Sequence, residues 1–164
     1  MTEETSDPSL HPQVAAAIAR LAARDPETAD NARAAWGWLA GDEAPDVLLQ
    51  RHLQDFLWYG LPRKWAVDLD GQLAVVESLA RLFDLLGAER YADLCRAGET
   101  REILTAYEED PEAGFDRYCR AVERSGIDPP NVPELAWGAV MSVDEAHARD
   151  HVSARLEDAV DEGR

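Results

Sequence analysis

The fold class is decided by residues 71–86, which read Gly-Gln-Leu-Ala-Val-Val-Glu-Ser-Leu-Ala-Arg-Leu-Phe-Asp-Leu-Leu. Large apolar side chains recur there every three or four positions, at Leu73, Val76, Leu79, Phe83 and Leu86. This spacing is typical of one face of an α-helix. No stretch of the chain alternates β-branched and polar residues over a length that would form a sheet. We therefore predict an all-α protein.

Helix start and stop signals recur outward from this segment. Two starts place a capping aspartate before a first-turn proline and glutamate, at Asp25-Pro26-Glu27 and Asp110-Pro111-Glu112. Glycines follow the apolar stretches where a left-handed residue past the helix end is favoured, at Gly41, Gly60, Gly87 and Gly126. Together these signals predict helices over residues 12–24, 26–40, 46–59, 71–86, 89–96, 99–109, 111–125, 133–140 and 142–161.

The domain organisation is predicted from the tails and one proline-rich stretch. Residues 1–10 form an acidic tail that we expect to be disordered, and residues 11–126 form the main helical bundle. We expect residues 127–133 to form a stiff linker, because the consecutive prolines Pro129 and Pro130 fix φ and do not continue a helix. Residues 134–164 follow as a C-terminal helical arm with a frayed end. The expectation is a single bundle of about seven to nine helices with this arm attached.

The 164-residue chain is strongly acidic. Its 16 Lys and Arg against 33 Asp and Glu give a formal net charge of −17 at pH 7. A field of this sign repels phosphate backbones and anionic lipid headgroups, so we expect no direct nucleic-acid binding and no membrane binding. Lys64 is the one lysine in the chain, a bias typical of a GC-rich bacterial-type genome.

The sequence also favours a cytoplasmic protein. Its N-terminus is acidic and polar, unlike a secretory signal, and no apolar run approaches the ~20 residues of a membrane span. Two cysteines, Cys95 and Cys119, do not make a disulfide framework. Both fall on apolar helix faces, and we expect buried, unreactive thiols.

The candidate contact surface is the stretch 56–65, which reads Phe-Leu-Trp-Tyr-Gly-Leu-Pro-Arg-Lys-Trp. Large aromatics and arginine are common anchors of protein interfaces, and cations beside aromatic rings can hold an acidic peptide. Trp38, on the predicted helix over residues 26–40, is added to this surface. The candidate binding residues are Trp38, Trp58, Tyr59, Arg63, Lys64 and Trp65.

Alternatives stay open for these tryptophans. In one alternative, Trp58 and Trp65 fill the core from either side of a tight turn, and Arg63 and Lys64 face the carbonyls at the end of the preceding helix. Trp36 and Trp38 are two positions apart, which is about 200° of helical rotation, so they cannot share a face. We expect Trp36 in the core. Trp38 then packs against a second layer, which we favour, or lies exposed as an interaction site.

Residues 65–73, which read Trp-Ala-Val-Asp-Leu-Asp-Gly-Gln-Leu, offer a different chemistry. The stretch resembles the first motif of haloacid-dehalogenase-type phosphatases, in which an apolar strand ends in Asp-x-Asp-Gly-Thr. The resemblance implies that Asp68 attacks phosphate, that Asp70 is the general acid and base, and that Mg²⁺ lies between the charges. Gln72 stands where that family has threonine, and no later strand is readable. The residues alone favour Asp70 as the cap of a helix that opens at Gly71, with Asp68 adding favourable charge.

A histidine pair on the last predicted helix is a candidate metal site. His147 and His151 are four residues apart, which places two imidazoles on consecutive turns, and Asp144 lies one turn earlier. The other interpretation is a solvated helix face, because that helix is very polar and Arg155 follows one turn later.

From these observations we expect an acidic helical module that binds or regulates a partner protein through the candidate surface and the arm. We predict no catalytic residues and no cofactor, and the oligomeric state stays open. One alternative is a metal- or phosphate-dependent hydrolase that uses Asp68 and Asp70, or the set Asp144, His147 and His151. Another is an acidic mimic that blocks a nucleic-acid-binding partner.

Overall fold

Helices account for most of residues 10–125, the part of the chain that the computed structural model describes, and no β-strand occurs within that range. The helices are α1 (Pro12–Ala22), α2 (Pro26–Leu39), α3 (Gln50–Asp55), α4 (Leu61–Lys64), α5 (Leu69–Leu86), α6 (Glu89–Arg96), α7 (Gly98–Glu109) and α8 (Pro111–Ser125). A 3₁₀ turn covers Pro45–Val47, and a π-helical turn over Phe56–Gly60 joins α3 to α4. With that continuous stretch taken as one, the described residues form seven helices, and the all-α prediction is confirmed.

The predicted helix starts are confirmed at two aspartates. The Asp25 carboxylate accepts hydrogen bonds from the N–H groups of Glu27 (3.1 Å) and Thr28 (3.3 Å), at the first turn of α2. Asp110 accepts from the N–H of Glu112 at 3.1 Å, at the start of α8. These bonds satisfy backbone donors that a helix start otherwise leaves unpaired.

Two of the predicted glycine stops are confirmed and one is wrong. Gly41 and Gly87 have φ of +56° and +75°, the left-handed conformation expected past a helix end. Gly60 has φ −62° and ψ −49°, so the chain continues as a helix through it to Lys64. The π turn ends with the N–H of Leu61 bonding to the carbonyl of Phe56. This wider turn lies directly before Pro62, whose ring crowds the preceding turn of an ordinary α-helix.

The core lies around α5, which contacts α1, α2, α6 and α7. Phe83 of α5 is buried between Trp36 of α2, at a ring-centroid distance of 6.2 Å, and Tyr91 of α6, at 5.5 Å. The Tyr91 hydroxyl donates to the carbonyl of Leu48 and so ties α6 to the loop before α3. Edge-to-face rings of this kind add to the free energy gained from burial. The prediction of Trp36 as core is confirmed. Of the predicted face of α5, Val76, Leu79 and Phe83 are buried, whereas Leu73 and Leu86 are half-buried at the edge of the core.

Helices α7 and α8 pack unusually closely at one glycine. Gly114 of α8 is buried beneath the ring of Tyr107, and a Cβ at that position would lie within 2.6 Å of both Cδ atoms of the ring. The missing side chain therefore sets how near the two helices approach.

Several predictions fall outside residues 10–125. They concern the acidic tail apart from its last residue, the stop at Gly126, the linker over 127–133, and the C-terminal arm over 134–164 with its two helices. Among the helices that are described, none combines the length and the apolar character that crossing a bilayer requires.

Candidate functional site

An exposed tryptophan pair marks one end of the candidate surface. Trp38, near the end of α2, is 56% exposed, and its ring lies 6.2 Å from that of Trp65, which follows α4. Trp65 is half-buried and packs edge-on against Phe56 at 5.6 Å. The expectation of a second layer over Trp38 is wrong, because α2 buries its opposite face, which carries Ala32 and Trp36, against the core.

A second aromatic group surrounds Tyr59 of the π turn. Its ring lies 6.1 Å from Phe115 and 5.6 Å from Tyr118, both on α8. The Arg63 guanidinium carbon lies 5.4 Å from the centre of the Tyr59 ring, and the Lys64 ammonium lies 5.9 Å from it. Cations at such distances are attracted by the negative face of the ring. The two cations therefore contact an aromatic ring, as the binding hypothesis requires.

The two aromatic groups adjoin, because Arg63, Lys64 and Trp65 are consecutive at the end of α4. Phe115 is 39% exposed, and Val67, two residues after Trp65, is 40% exposed. We call the following residues the aromatic–basic face: Trp38, Tyr59, Arg63, Lys64, Trp65, Val67 and Phe115.

Trp58 belongs to the core and not to this face. It is 1% exposed, and its indole Nε1 donates to the Thr100 hydroxyl at 3.0 Å, which in turn donates to the carbonyl of Leu94 at 2.7 Å. The candidate surface therefore loses Trp58, which a partner cannot touch in this conformation. Of the two interpretations of Trp58, contact residue or core residue, the structure supports the core residue.

The cations of the face have no carboxylate partner among residues 10–125. Asp55, which lies beside the Tyr59 group, accepts from Arg51 Nε at 3.0 Å and from the Tyr118 hydroxyl at 2.7 Å. Burial and the bond to Asp55 together raise the pKa of Tyr118 above its ordinary range. Asp55 is engaged by Arg51 and Tyr118, and no other carboxylate of residues 10–125 pairs with Arg63 or Lys64, so within that range their charges are available to a ligand.

A buried hydroxyl lies near the same cations. The Tyr107 OH has no hydrogen-bond partner in the described part of the chain. Burial raises its pKa to about 12, while the Arg63 charge acts in the opposite direction. Tyr107 therefore stays protonated at neutral pH and serves as packing under α8.

Asp68 and Asp70 lie at a helix start. The Asp68 carboxylate accepts from the N–H of Gly71 at 2.8 Å, so Asp68 caps α5 and Asp70 sits in its first turn. This reverses the two capping roles predicted from the sequence. Both aspartates are exposed, and the phosphatase motif's preceding strand is replaced by an irregular connection over 65–67.

No cluster of three or more His, Cys, Asp or Glu side chains within residues 10–125 is arranged to hold a metal ion. The candidate set Asp144, His147 and His151 lies outside that range. Of the two thiols, Cys95 is buried, and burial raises its pKa well above the ordinary value, as expected for an unreactive thiol. Cys119 is half-buried.

Two members of the face were not singled out by the sequence. Phe115 lies on α8 together with Tyr118 and Val122, and apolar side chains at this spacing are typical of a buried helix face. Val67 lies next to the phosphatase-like motif, where it fitted a strand. The exposure of both depends on which neighbours pack around them, and the local sequence carries no signal of that.

No family model matches this chain, no curated protein matches it, and no solved structure matches it. Function must therefore be argued from the chain's own residues and their geometry.

Proposed function

We propose that the protein is a binding module whose aromatic–basic face captures a segment of a partner protein that carries carboxylates beside apolar side chains. One observation carries the proposal. Trp38 is 56% exposed and lies against Trp65, next to two cations that have no carboxylate partner among residues 10–125, in a chain of net charge −17. Exposed apolar patches of this kind are typical of interaction sites.

The tryptophan pair supports a role as an anchor. Trp65 is fixed by Phe56 and supports one side of the Trp38 ring, so Trp38 has less side-chain freedom to lose on binding. Tryptophan, tyrosine and arginine are the residues most enriched among those that dominate binding free energy. All three residue types are present on this face.

The cations determine the chemistry of the partner segment. The net charge of −17 disfavours the approach of carboxylates to the protein as a whole, whereas Arg63 and Lys64 attract them. A carboxylate held there would lie near the Tyr59 ring, which contacts Phe115 at a centroid distance of 6.1 Å. Binding should therefore weaken as the salt concentration rises, because such charge pairs are screened.

Site-specific photocrosslinking tests the proposal. A photoreactive phenylalanine analogue replaces Trp38 in the full chain, expressed in the source cells, and crosslinked proteins are identified by mass spectrometry. The matched control carries the analogue at Asp93, an exposed position of α6. We expect a stoichiometric adduct from position 38 and none from position 93. Equal yields from both positions, or no adduct from position 38, would contradict the proposal.

The two alternatives from the sequence receive no comparable support. Within residues 10–125, the aspartates of the hydrolase hypothesis serve as a helix cap and a first-turn acid. The acidic mimic stays a prediction.

A further inference from the structure

A second candidate site lies in a cleft of about 500 Å³ between the end of α1, the start of α2 and the C-terminal end of α5. Its lining includes three arginines: Arg20 from the last turn of α1, Arg24 from the connection between α1 and α2, and Arg81 from α5. Leu21, which is buried, and Leu85, which is half-buried, form its apolar part. None of these residues belongs to the aromatic–basic face.

Two of the three guanidinium groups are free to bind a ligand. Arg20 and Arg24 are exposed, and neither makes a side-chain hydrogen bond or ion pair with any residue in the range 10–125. Arg81 has one pairing, at 3.5 Å from Glu77, and Glu77 is also bound by Arg96 at 3.2 Å. Within the described part of the chain, the guanidinium charges of Arg20 and Arg24 are therefore not compensated by a direct contact.

The two carboxylates that line the cleft are engaged elsewhere. Asp25 accepts from the N–H groups that open α2 and from the Thr28 hydroxyl at 2.7 Å. These hydrogen bonds, with a smaller contribution from Arg81, lower the pKa of Asp25. Asp84 accepts from Arg96 at 2.9 Å. Three arginines against two aspartates leave a local excess of one positive charge, in a chain whose net charge is −17.

We propose that this cleft binds a small amphipathic anion, with its carboxylate or phosphate held by Arg20 and Arg24 and its short apolar part lying against Leu21 and Leu85. Guanidinium groups present paired N–H donors that match the oxygens of both anions. The cleft volume falls within the range of small-molecule sites, roughly 300–1,000 Å³, which are mostly apolar with a few polar groups that orient the ligand. The inference is independent of the proposed protein-binding function.

The test uses hexanoate and hexyl phosphate as probes, with 1-hexanol as the neutral control. Each is titrated into the full-length ¹⁵N-labelled protein while amide chemical shifts are followed. We expect saturable shifts for at least one anion, centred on the end of α1, the start of α2 and residues 81–85. The anion that binds more tightly distinguishes a carboxylate ligand from a phosphate ligand. Binding of 1-hexanol as tight as that of both anions would overturn the proposal, as would the absence of saturable binding by either anion.

Charge-matched variants locate the site. Arg20→Gln with Arg24→Gln removes two exposed cations of the cleft, and Arg33→Gln with Arg101→Gln removes two exposed cations outside it. We expect the first pair to weaken binding of the anion at least tenfold and the second to change it less than twofold. Equal affinities in the two variants would refute the assignment. Urea unfolding of both variants checks that the loss does not come from a destabilised fold.

Discussion

Trp38 and Trp58 are both tryptophans on helical segments, and they contribute to the protein in opposite ways. Trp58 fills the core and gives its one N–H to Thr100, whereas Trp38 keeps 56% of its surface in water. A residue that is fully packed contributes to the free energy of unfolding, and an exposed one contributes little. A substitution of Trp58 should therefore change mainly the free energy of unfolding, and a substitution of Trp38 should change mainly the binding of a partner.

This difference predicts opposite results for two substitutions. Trp58→Phe removes the bond to Thr100 and part of the packed ring, so it should lower the free energy of unfolding by about 2 kcal/mol. Trp38→Ala should lower it by less than about 1 kcal/mol, since it removes a half-open contact with Trp65. Urea unfolding followed by circular dichroism measures both. A larger loss for Trp38→Ala would contradict the assignment of Trp38 to the surface.

Asp25 gives a prediction for the pH dependence of stability. Its pKa is lowered in the folded protein, chiefly by the hydrogen bonds from Thr28. The charged carboxylate is therefore favoured by folding. Its contribution is fully present above the pKa of the unfolded chain, about 3.9, and is lost as the pH falls through the lowered value.

The stability difference between wild type and Asp25→Ala should accordingly be largest above about pH 5 and shrink below pH 4. Chemical unfolding at pH 6 and pH 3 measures this difference. A matched control is Asp93→Ala, an exposed aspartate of α6 outside the first turn of its helix. A constant difference for Asp25→Ala across this pH range would show that the carboxylate charge does not contribute.

At the scale of elements, α7 and α8 depend on the absence of a side chain at Gly114. Gly114→Ala places a methyl carbon 2.3 Å from Cγ of Tyr107 and 2.6 Å from both Cδ atoms. Because this is far shorter than a van der Waals contact, the helices must separate. We expect a loss of about 1–3 kcal/mol in the free energy of unfolding, despite the better helix propensity of alanine. The control is Gly37→Ala on the exposed side of α2, where the new methyl group meets no other described part of the protein within 4 Å beyond its own helix backbone and chain neighbours.

Gly37→Ala should instead raise stability by up to about 1 kcal/mol, because alanine loses less backbone entropy in a helix. Thermal and urea unfolding of the two variants provide the measurement. Equal effects of the two substitutions would mean that α7 and α8 can move apart at no cost.

Much of the element order was predictable from the sequence, because caps act locally. The starts at Asp25 and Asp110 and the stop at Gly87 depend on bonds within a few residues, and the helices over 89–96 and 111–125 occur as predicted. The third helix could not be predicted in full. Gly60 adopts an ordinary helical conformation and does not end that helix. The π turn over Phe56–Gly60 also changes the direction in which the following residues of the helix point.

The candidate face was only partly predictable for the same reason. Arg63 and Lys64 approach Tyr59 because the helix continues past Gly60, whereas the sequence indicated a turn there. Whether Trp38 or Trp58 is exposed depends on which helices pack together over long sequence separations, and periodicity within one helix does not specify that. The hypothesis of a contact surface remains a prediction, with Trp58 removed from it.

At the scale of the whole molecule, net charge is the dominant feature. A net charge of −17 produces self-repulsion that favours the unfolded chain. Isolated ion pairs on the described helices, such as Arg33 with Asp30 and Arg117 with Glu102, are exposed and contribute little.

Raising NaCl from about 50 mM to 500 mM should therefore increase the free energy of unfolding, since screening weakens the repulsion more than it weakens these pairs. The urea midpoint at each salt concentration measures the effect, with matched sucrose solutions as the control for changes in surface hydration. A midpoint that falls with salt would indicate that the exposed ion pairs outweigh the self-repulsion.

Whether the aromatic–basic face binds a partner protein is tested most directly by calorimetry. The affinity for the protein that crosslinks to position 38 is measured at low and high salt. The variants are Trp38→Ala, Arg63→Gln with Lys64→Gln, and the charge-matched control Arg101→Gln with Arg120→Gln, two exposed arginines on α7 and α8. We predict at least a tenfold loss for Trp38→Ala at both salt concentrations. The Arg63 and Lys64 variant should lose affinity mainly at low salt, and the control should bind like the wild type. Unchanged affinity in both face variants would contradict the account.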